Sequence, residues 1–216
     1  MKKQFTLLFG LALILFNIHA CKDKDDNPDD APETFATIEL NTAHGSMYIH
    51  LYDSTPLHKA NFIKLMNEGF FDSTEFHRII PNFVIQGGDP NSKDDDRNND
   101  GTGGPGYTTP AEIDSANLKH IYGAIGAARL GNGTNPQRNS SGSQFYIVTN
   151  PAGTHFLDGE YTVFGEIIGG MDVATTIQSQ PRNGNDLPNT RIPMTIKIAN
   201  LTAQEIQDRG ITSPVQ

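Results

Sequence analysis

From Phe35 onward the apolar residues tend to fall on every second position, and this alternation constrains the fold more than any other feature of the chain. Met47, Ile49 and Leu51 alternate with Tyr48, His50 and Tyr52, and near the far end Met194, Ile196 and Ile198 alternate with Thr195, Lys197 and Ala199. Neighbouring side chains on a strand point to opposite faces, so the pattern describes strands with one buried side. Between them lie short runs of β-forming residues: Phe83-Val84-Ile85, Gln144 to Val148, and Tyr161 to Phe164. Ala43-His44-Gly45 reads as a hairpin turn. Glycine makes up 21 of 216 residues, about a tenth against a usual ~7%, and supplies the turns that short strands require.

Two segments break the rhythm. Ser54 or Thr55 can cap a helix with Pro56 in its first position and Gly69 at its end, and Ala60, Ile63 and Phe62, Met66 have helical spacing within it. A shorter helix is predicted from Met171 to Gln178, with Val173 and Ile177 on one face and Pro181 beyond its end. Many short antiparallel strands with two helices predict a mainly β fold, a closed barrel whose ends are covered, because closure leaves no strand edge exposed. The predicted organisation is a leader over 1–20, an acidic tether over 21–34, one domain over 35–201 and a polar tail over 202–216.

The leader has a basic start at Lys2 and Lys3, an apolar run from Phe5 to Phe16 and a small residue, Ala20, at the cleavage edge. The run falls short of the ~20 apolar residues that span a bilayer. Ile18-His19-Ala20-Cys21 resembles a bacterial lipobox, which implies that Cys21 is acylated and ties the chain to a membrane; several acyl chains together make a stable anchor. Cys21 is the one cysteine of the sequence. A thiolate nucleophile, a CxxC redox pair and a cysteine zinc site are therefore excluded. Lys22 to Pro32 is charged and proline-bearing, the composition of an unstructured tether. Acidic residues behind a lipidated cysteine also resemble a surface-export signal of some Gram-negative groups. The expected location is the envelope of a Gram-negative bacterium, facing the periplasm or the outside. A formal charge of −9 argues against nucleic acid as a partner.

Three stretches carry chemistry, in this order: Phe76-His77-Arg78-Ile79-Ile80-Pro81-Asn82-Phe83-Val84-Ile85-Gln86-Gly87-Gly88-Asp89, Ser141-Gly142-Ser143-Gln144-Phe145-Tyr146-Ile147, and Phe156-Leu157-Asp158-Gly159-Glu160-Tyr161-Thr162-Val163-Phe164-Gly165. Val84 and Gln86 share one strand face, as do Gln144 and Tyr146, so each strand pairs an apolar group with an amide. Phe83, Val84, Tyr146 and Leu157 can enclose a small apolar ring, with Phe156 on the rim. Arg78 adds a permanent charge and five donors in a rigid fork. No nucleophile–base pair stands near them. Phe145 reads as core, Gly87 and Gly88 as tight-turn residues, and Asp158-Gly159 as a turn.

Together these stretches resemble the cyclophilin-type peptidyl-prolyl isomerases, over roughly Phe35 to Leu201. The resemblance implies an eight-stranded antiparallel barrel capped by two α-helices, no cofactor, and proline-containing extended or unfolded polypeptides as substrates of a monomeric enzyme. It implies that Arg78 is catalytic, that Phe83, Val84, Tyr146 and Leu157 hold the proline, and that Gln86 binds substrate backbone. Ala128 and Arg129 fall where the family lays the preceding peptide residues. Gln144, Phe156 and Tyr161 complete the expected substrate-binding set. The chain departs from the best-known members at Phe156 (tryptophan there), Tyr161 (histidine), Arg129 (asparagine) and Tyr146 (phenylalanine). Loss of the indole N–H implies weak cyclosporin binding, and Tyr146 is expected to bring its hydroxyl near the pocket. The rival readings are a proline-peptide binding module or chaperone without turnover, and a hydrolase working through an acid–base pair.

Asp96-Arg97-Asn98-Asn99-Asp100-Gly101 matches the first half of an EF-hand loop, but the place of the closing glutamate is Tyr107, so Asp94 to Asp100 reads as a solvated acidic insertion. The histidines are scattered without metal-ligand spacing, and no metal site is expected.

Overall fold

The computed structural model describes residues 32–212, so the leader, Cys21 and the tether as far as residue 31 lie outside the described residues, as do 213–216. Ten strands and three α-helices follow in chain order: β1 (Thr34–Thr42), β2 (Gly45–Leu51), α1 (Pro56–Asn67), β3 (Phe76–Ile80), β4 (Val84–Gly87), β5 (Thr108–Thr109), β6 (Ala124–Ala127), β7 (Ser140–Ser141), β8 (Phe145–Val148), β9 (Val163–Gly169), α2 (Met171–Gln178), β10 (Met194–Thr202) and α3 (Ala203–Asp208). Eight of the strands form one antiparallel sheet in the order β10-β1-β2-β9-β6-β8-β4-β3, and β5 pairs separately with β7.

The expected closed barrel is corrected to a curled, open sheet. Its outermost strands, β3 and β10, share no ladder. They touch only where they begin, through a bridge between Glu75 and Pro193 and hydrogen bonds from Phe76 N to Ile192 O (3.0 Å) and Met194 N to Thr74 O (2.8 Å). Two facts explain the opening. Pro193 has no N–H to give to a continuing ladder. Further along, the outer edge of β3 is already occupied, because Ile79 N donates to Asp186 O at 2.9 Å.

The alternation read in the sequence sets the two faces. Ile79, Ile85, Ile147 and Ile125 lie side by side across β3, β4, β8 and β6, all without exposure, in the main core. One residue away runs the opposite row: Arg78, Gln86, Tyr146, Gly126 and, on β9, Val163. This second row forms part of the site described below. On the outermost strand the alternation gives way, and Ile198 is exposed.

Both predicted helices form. The buried face of α1 is His58, Phe62, Leu65 and Met66, whereas Ala60 faces solvent. Thr55 sits at its N-cap, but the Thr55 hydroxyl donates back to the Tyr52 carbonyl at 3.3 Å and caps no helix amide. Its first free amides are instead satisfied from a distance, Leu57 N and His58 N donating to the Glu112 carboxylate at 2.9 Å each. In α2, Val173 and Ile177 face the core. The polar segment after Leu201 carries α3, opened by a capping box in which Thr202 and Glu205 each bind the other's backbone N–H. The acidic insertion exposes Asp94, Asp95 and Asp96, as expected, but is also anchored. Arg191 bridges Glu75, Asp95 and the Ser92 carbonyl, and Arg97 lies 3.8 Å from both Glu75 and Asp100, so the loop is tied to the entrance of β3.

His77, beside Arg78 on β3, is buried, and burial outweighs the attraction of Asp89 to hold its pKa down to about 4 from 6.5. Between those values the unfolded chain binds more protons than the folded one, so stability is full above ~6.5 and falls as the pH drops toward 4. The gap corresponds to about 3 kcal/mol at 1.36 kcal/mol per unit. Denaturant unfolding between pH 7 and pH 4 is expected to show a loss of this order that His77→Phe removes. Identical pH slopes for the two proteins would overturn the assignment.

Candidate active site

The face opposite the main core carries a second apolar cluster, in which Val84, Ala124, Tyr146, Val148 and Val163 are packed by Phe83, Ala128, Leu157 and Tyr161. A hollow of about 170 Å³ opens here, lined by Arg78, Phe83, Val84, Gln86, Ala128, Arg129, Tyr146, Leu157 and Tyr161. The strands β3, β4, β6 and β8 supply Arg78, Val84, Gln86 and Tyr146 with the edge of Ala128, and the 3₁₀ turn His155–Leu157 brings Leu157 across the opening. A wider groove of about 670 Å³ adjoins the hollow through Gln86, Ala128 and Arg129.

Of the residues expected at the site, only Gln144 and Phe156 do not line the hollow. Gln144 lies in the adjoining groove. Phe156 is 72% exposed and stacks on the ring of Phe83, with centroids 5.5 Å apart. It therefore buttresses a wall from outside, as a rim residue.

The amides form a fixed chain. Gln144 Nε2 donates to the carbonyls of Gly101 (3.0 Å) and Gly103 (2.8 Å), which can only accept, so its Oε1 must be the atom that accepts from Gln86 Nε2 at 3.0 Å. Gly103 is itself held through its N–H by Asp89 Oδ2 at 3.1 Å. One consequence is that the loop following the acidic insertion sets the orientation of Gln86, whose own carbonyl oxygen meets no donor among the described residues and is available to a peptide N–H.

The two arginines of the hollow differ in kind. Arg129 commits four of its five N–H donors: Nε binds Glu160 O at 2.8 Å, Nη1 binds Leu130 O and Asn132 Oδ1, Nη2 binds Glu160 Oε2 at 3.1 Å, and the guanidinium lies 4.5 Å over the Tyr161 ring. It is a wall. Arg78 makes no hydrogen bond or ion pair among the described residues, so its donors remain available to a ligand.

Tyr146 does not offer its hydroxyl to the hollow, contrary to expectation. The ring lines the hollow, but the hydroxyl is buried behind it, 2.8 Å from His120 Nε2. His120 Nδ1 lies 2.8 Å from Asp158 Oδ1, and Asp158 Oδ2 lies 3.0 Å from His155 Nδ1. Burial holds His120 below the usual histidine range despite the Asp158 carboxylate, and raises the Tyr146 phenol well above its ordinary value. Burial pushes Asp158 up, but the hydrogen bonds from His120 and His155 bring it below the usual carboxylate range. The chain Asp158–His120–Tyr146 has the order of a nucleophile relay, yet the Tyr146 hydroxyl is turned away from the hollow toward His120 and so presents no nucleophile to a ligand there. His120 and Asp158 were not among the expected site residues; the tyrosine at 146 is the one local signal that a buried partner was needed.

Residues 35–201 match the family described as "Cyclophilin type peptidyl-prolyl cis-trans isomerase/CLD". Among curated proteins, the chain is 39% identical to peptidyl-prolyl cis-trans isomerase B of Bacillus subtilis over 140 residues, covering 65% of this chain and 85% of that one. It is 36% identical to a peptidyl-prolyl cis-trans isomerase of Synechococcus elongatus over 154 residues, 71% of this chain and 93% of that one. Among solved structures, a cyclophilin-type peptidyl-prolyl cis-trans isomerase of Cryptosporidium parvum superposes with a TM-score of 0.66 at 30% identity, covering 77% of this chain and 98% of that one. The same protein has been solved in the presence of the dipeptide Ala-Pro, with the same TM-score and identity.

Gly126 makes room for the Tyr146 ring: a Cβ there would stand 2.3–2.5 Å from Cζ, Oη and Cε2. With the hydroxyl hooked to His120, the ring has little freedom to withdraw. Gly126→Ala is expected to lower the unfolding free energy by about 1–3 kcal/mol, the usual cost of overpacking, and to change the near-ultraviolet tyrosine dichroism. Unchanged stability and spectrum would show that the ring is not confined as described.

Proposed function

The chain belongs to the cyclophilin-type peptidyl-prolyl cis-trans isomerases, and from that premise we propose how its own residues perform the reaction and where it works. Rotation about an Xaa-Pro bond is slowed by a barrier of ~18–20 kcal/mol, because resonance gives the C–N bond double-bond character. As the bond twists, conjugation is lost and the prolyl nitrogen becomes pyramidal and basic. A cation aimed at that nitrogen binds the twisted state better than either planar state, which is the requirement for catalysis.

Arg78 is the catalytic residue of this proposal, and the observation that carries it is its uncommitted guanidinium at a hollow walled by Phe83, Val84, Tyr146 and Leu157, whose other arginine is tied to Glu160. Phe83, Val84, Tyr146 and Leu157 take the proline ring, and Tyr161 and Arg129 close the wall beside them. Gln86, oriented by Gln144, binds the substrate backbone, while Ala128 and Arg129 border the groove that receives the residues before proline. A ~10⁵-fold acceleration needs about 7 kcal/mol. One charge-assisted hydrogen bond supplies about 2–3 kcal/mol of it, and the rest is assigned to desolvation and positioning in the dry cradle. Proline-containing extended or unfolded chains are the proposed substrates, the enzyme acting as a monomer without a cofactor.

We place α1 and α2 over the openings of the curled sheet, since both contribute side chains to its one main core. The sequence Ile18-His19-Ala20-Cys21 supports lipidation of Cys21 and attachment to the envelope of a Gram-negative bacterium, where the enzyme would assist folding outside the cytoplasm.

Exchange NMR on an Xaa-Pro peptide separates turnover from mere binding: catalysis broadens the cis and trans signals at low enzyme concentration. Arg78→Ala is expected to lower kcat/KM by about 2–4 kcal/mol with the fold intact, and wild-type turnover in that variant would remove the role given to Arg78. No acid–base pair operates, so the wild-type rate is expected to stay level from about pH 6 to 8. Cells fed radioactive palmitate are expected to label the wild-type chain and not Cys21→Ser; equal labelling would rule out the proposed anchor.

A further inference from the structure

Behind the hollow, on the side away from any ligand, Asp158, His120 and Tyr146 form a line of buried polar groups that the reaction described above does not use. Their hydrogen bonding admits one arrangement. The Asp158 carboxylate can only accept, and it already accepts from the His120 backbone N–H at 2.8 Å. The His120 ring must therefore carry its proton on Nδ1 and donate it to Asp158. This leaves Nε2 as an acceptor, and the Tyr146 hydroxyl is the group that donates to it. His120 has no solvent exposure and Tyr146 almost none, so no water replaces either bond. The two rings also lie nearly parallel, 15° apart with centroids 5.9 Å distant.

The same hydroxyl end of the ring lies over Gly126, where a Cβ would stand 2.3–2.5 Å from Cζ, Oη and Cε2, so the absence of a side chain there is what lets the phenol reach His120. The plane that faces the proline pocket is thus fixed by two contacts, the sheet at Gly126 and the hook at His120. We propose that His120, held by Asp158, is a positioning residue of the isomerisation: it fixes the Tyr146 ring in the orientation that seats the proline ring under Arg78. This rests on the isomerase reading above and adds to it a residue that touches no substrate.

The arrangement has a sign. Protonated His120 would carry hydrogens on both nitrogens, Nε2 would no longer accept, and the Tyr146 hydroxyl would lose its acceptor. The groups facing His120 are Asp158, His155 and Lys119, the last 4.0 Å from Asp158 Oδ2, with Tyr146 on the other side and Arg129 and Tyr161 beyond the phenol. Of these, His155 is exposed and bonds the far oxygen of Asp158, so its removal is the control for the His120 assignment. Activity should therefore fall on the acid side, below the level stretch expected near neutrality.

The test measures kcat/KM by exchange NMR on an Ala-Pro peptide from pH 7.5 down to the lowest pH at which circular dichroism shows the fold intact. Wild type, Tyr146→Phe, His120→Asn, His120→Gln, the double variant Tyr146→Phe/His120→Asn and His155→Ala are compared. At pH 7 Tyr146→Phe and His120→Asn are each expected to lose roughly five-fold, the worth of one neutral hydrogen bond, and the double variant no more than either alone. Glutamine, whose carbonyl can accept at the place of Nε2, is expected to restore most of the rate. The acid limb should be present in wild type and His155→Ala and absent in Tyr146→Phe. Additive losses, failure of His120→Gln to recover, or a limb that disappears with His155→Ala would each overturn the proposal. A purely structural role would lower the melting temperature of the variants and leave rate and limb alone. Wild-type turnover, with its loss in Arg78→Ala, reports separately on the isomerase reading.

Discussion

Everything at the site depends on strand register. In an antiparallel ladder a shift of one residue exchanges the two faces of a strand. Here one row across β3, β4, β8 and β6 is four isoleucines in the core, and the next is Arg78, Gln86, Tyr146 and Gly126. Packing of the first row therefore places the second. The core isoleucines are as much a part of the site as the arginine is, because any slip that exposed them would bury the charge. Burial of the former and solvation of the latter act in the same direction, so the arrangement is specified twice.

Charge is handled at the hollow by commitment. Of the two guanidinium groups that line it, one is bound to a carboxylate, three carbonyl-type oxygens and an aromatic face, and the other to nothing among the described residues. An arginine with four of its five donors committed has little to offer a ligand, since its position is already set by the bonds it makes. An unengaged one keeps its donors but has to be held by the shape of its surroundings, which here are β3, the Gln86 side of β4 and the tied-down insertion. The same logic orders the amides: both N–H groups of Gln144 are occupied by glycine carbonyls, so its carbonyl can serve only Gln86.

Much of this was legible in the sequence because it depends on local rules. Period-two alternation identifies β2 and β10, a run of β-forming residues identifies β4, proline at the first helical position identifies α1, and the spacing of Val84 with Gln86 gives their shared face. The residues from Arg78 to Gln86 reach the hollow because they occupy two strands joined by a tight turn. What was not legible depends on partners distant in the chain. Glu112 serves the start of α1 across more than fifty positions. Asp158, which reads locally as part of a turn, meets a histidine thirty-eight residues earlier. Closure of the sheet was expected from the general disadvantage of free edges. It fails because proline and a neighbouring loop settle one edge by other means. Ala203–Asp208 reads as a polar tail until Thr202 and Glu205 are seen to satisfy each other's backbone groups.

That neighbouring loop has a consequence of its own. An outermost strand normally displays a row of unpaired amides on which another chain can template itself, the first step toward stacking and fibrils. On β3 the outward N–H groups of Phe76 and Ile79 are already given to Ile192 and Asp186. A sheet left open in geometry is in this respect shut to newcomers along that strand. For a peptidyl-prolyl isomerase this means that an extended peptide meets a groove on its face, while the β3 amides of Phe76 and Ile79 are already taken.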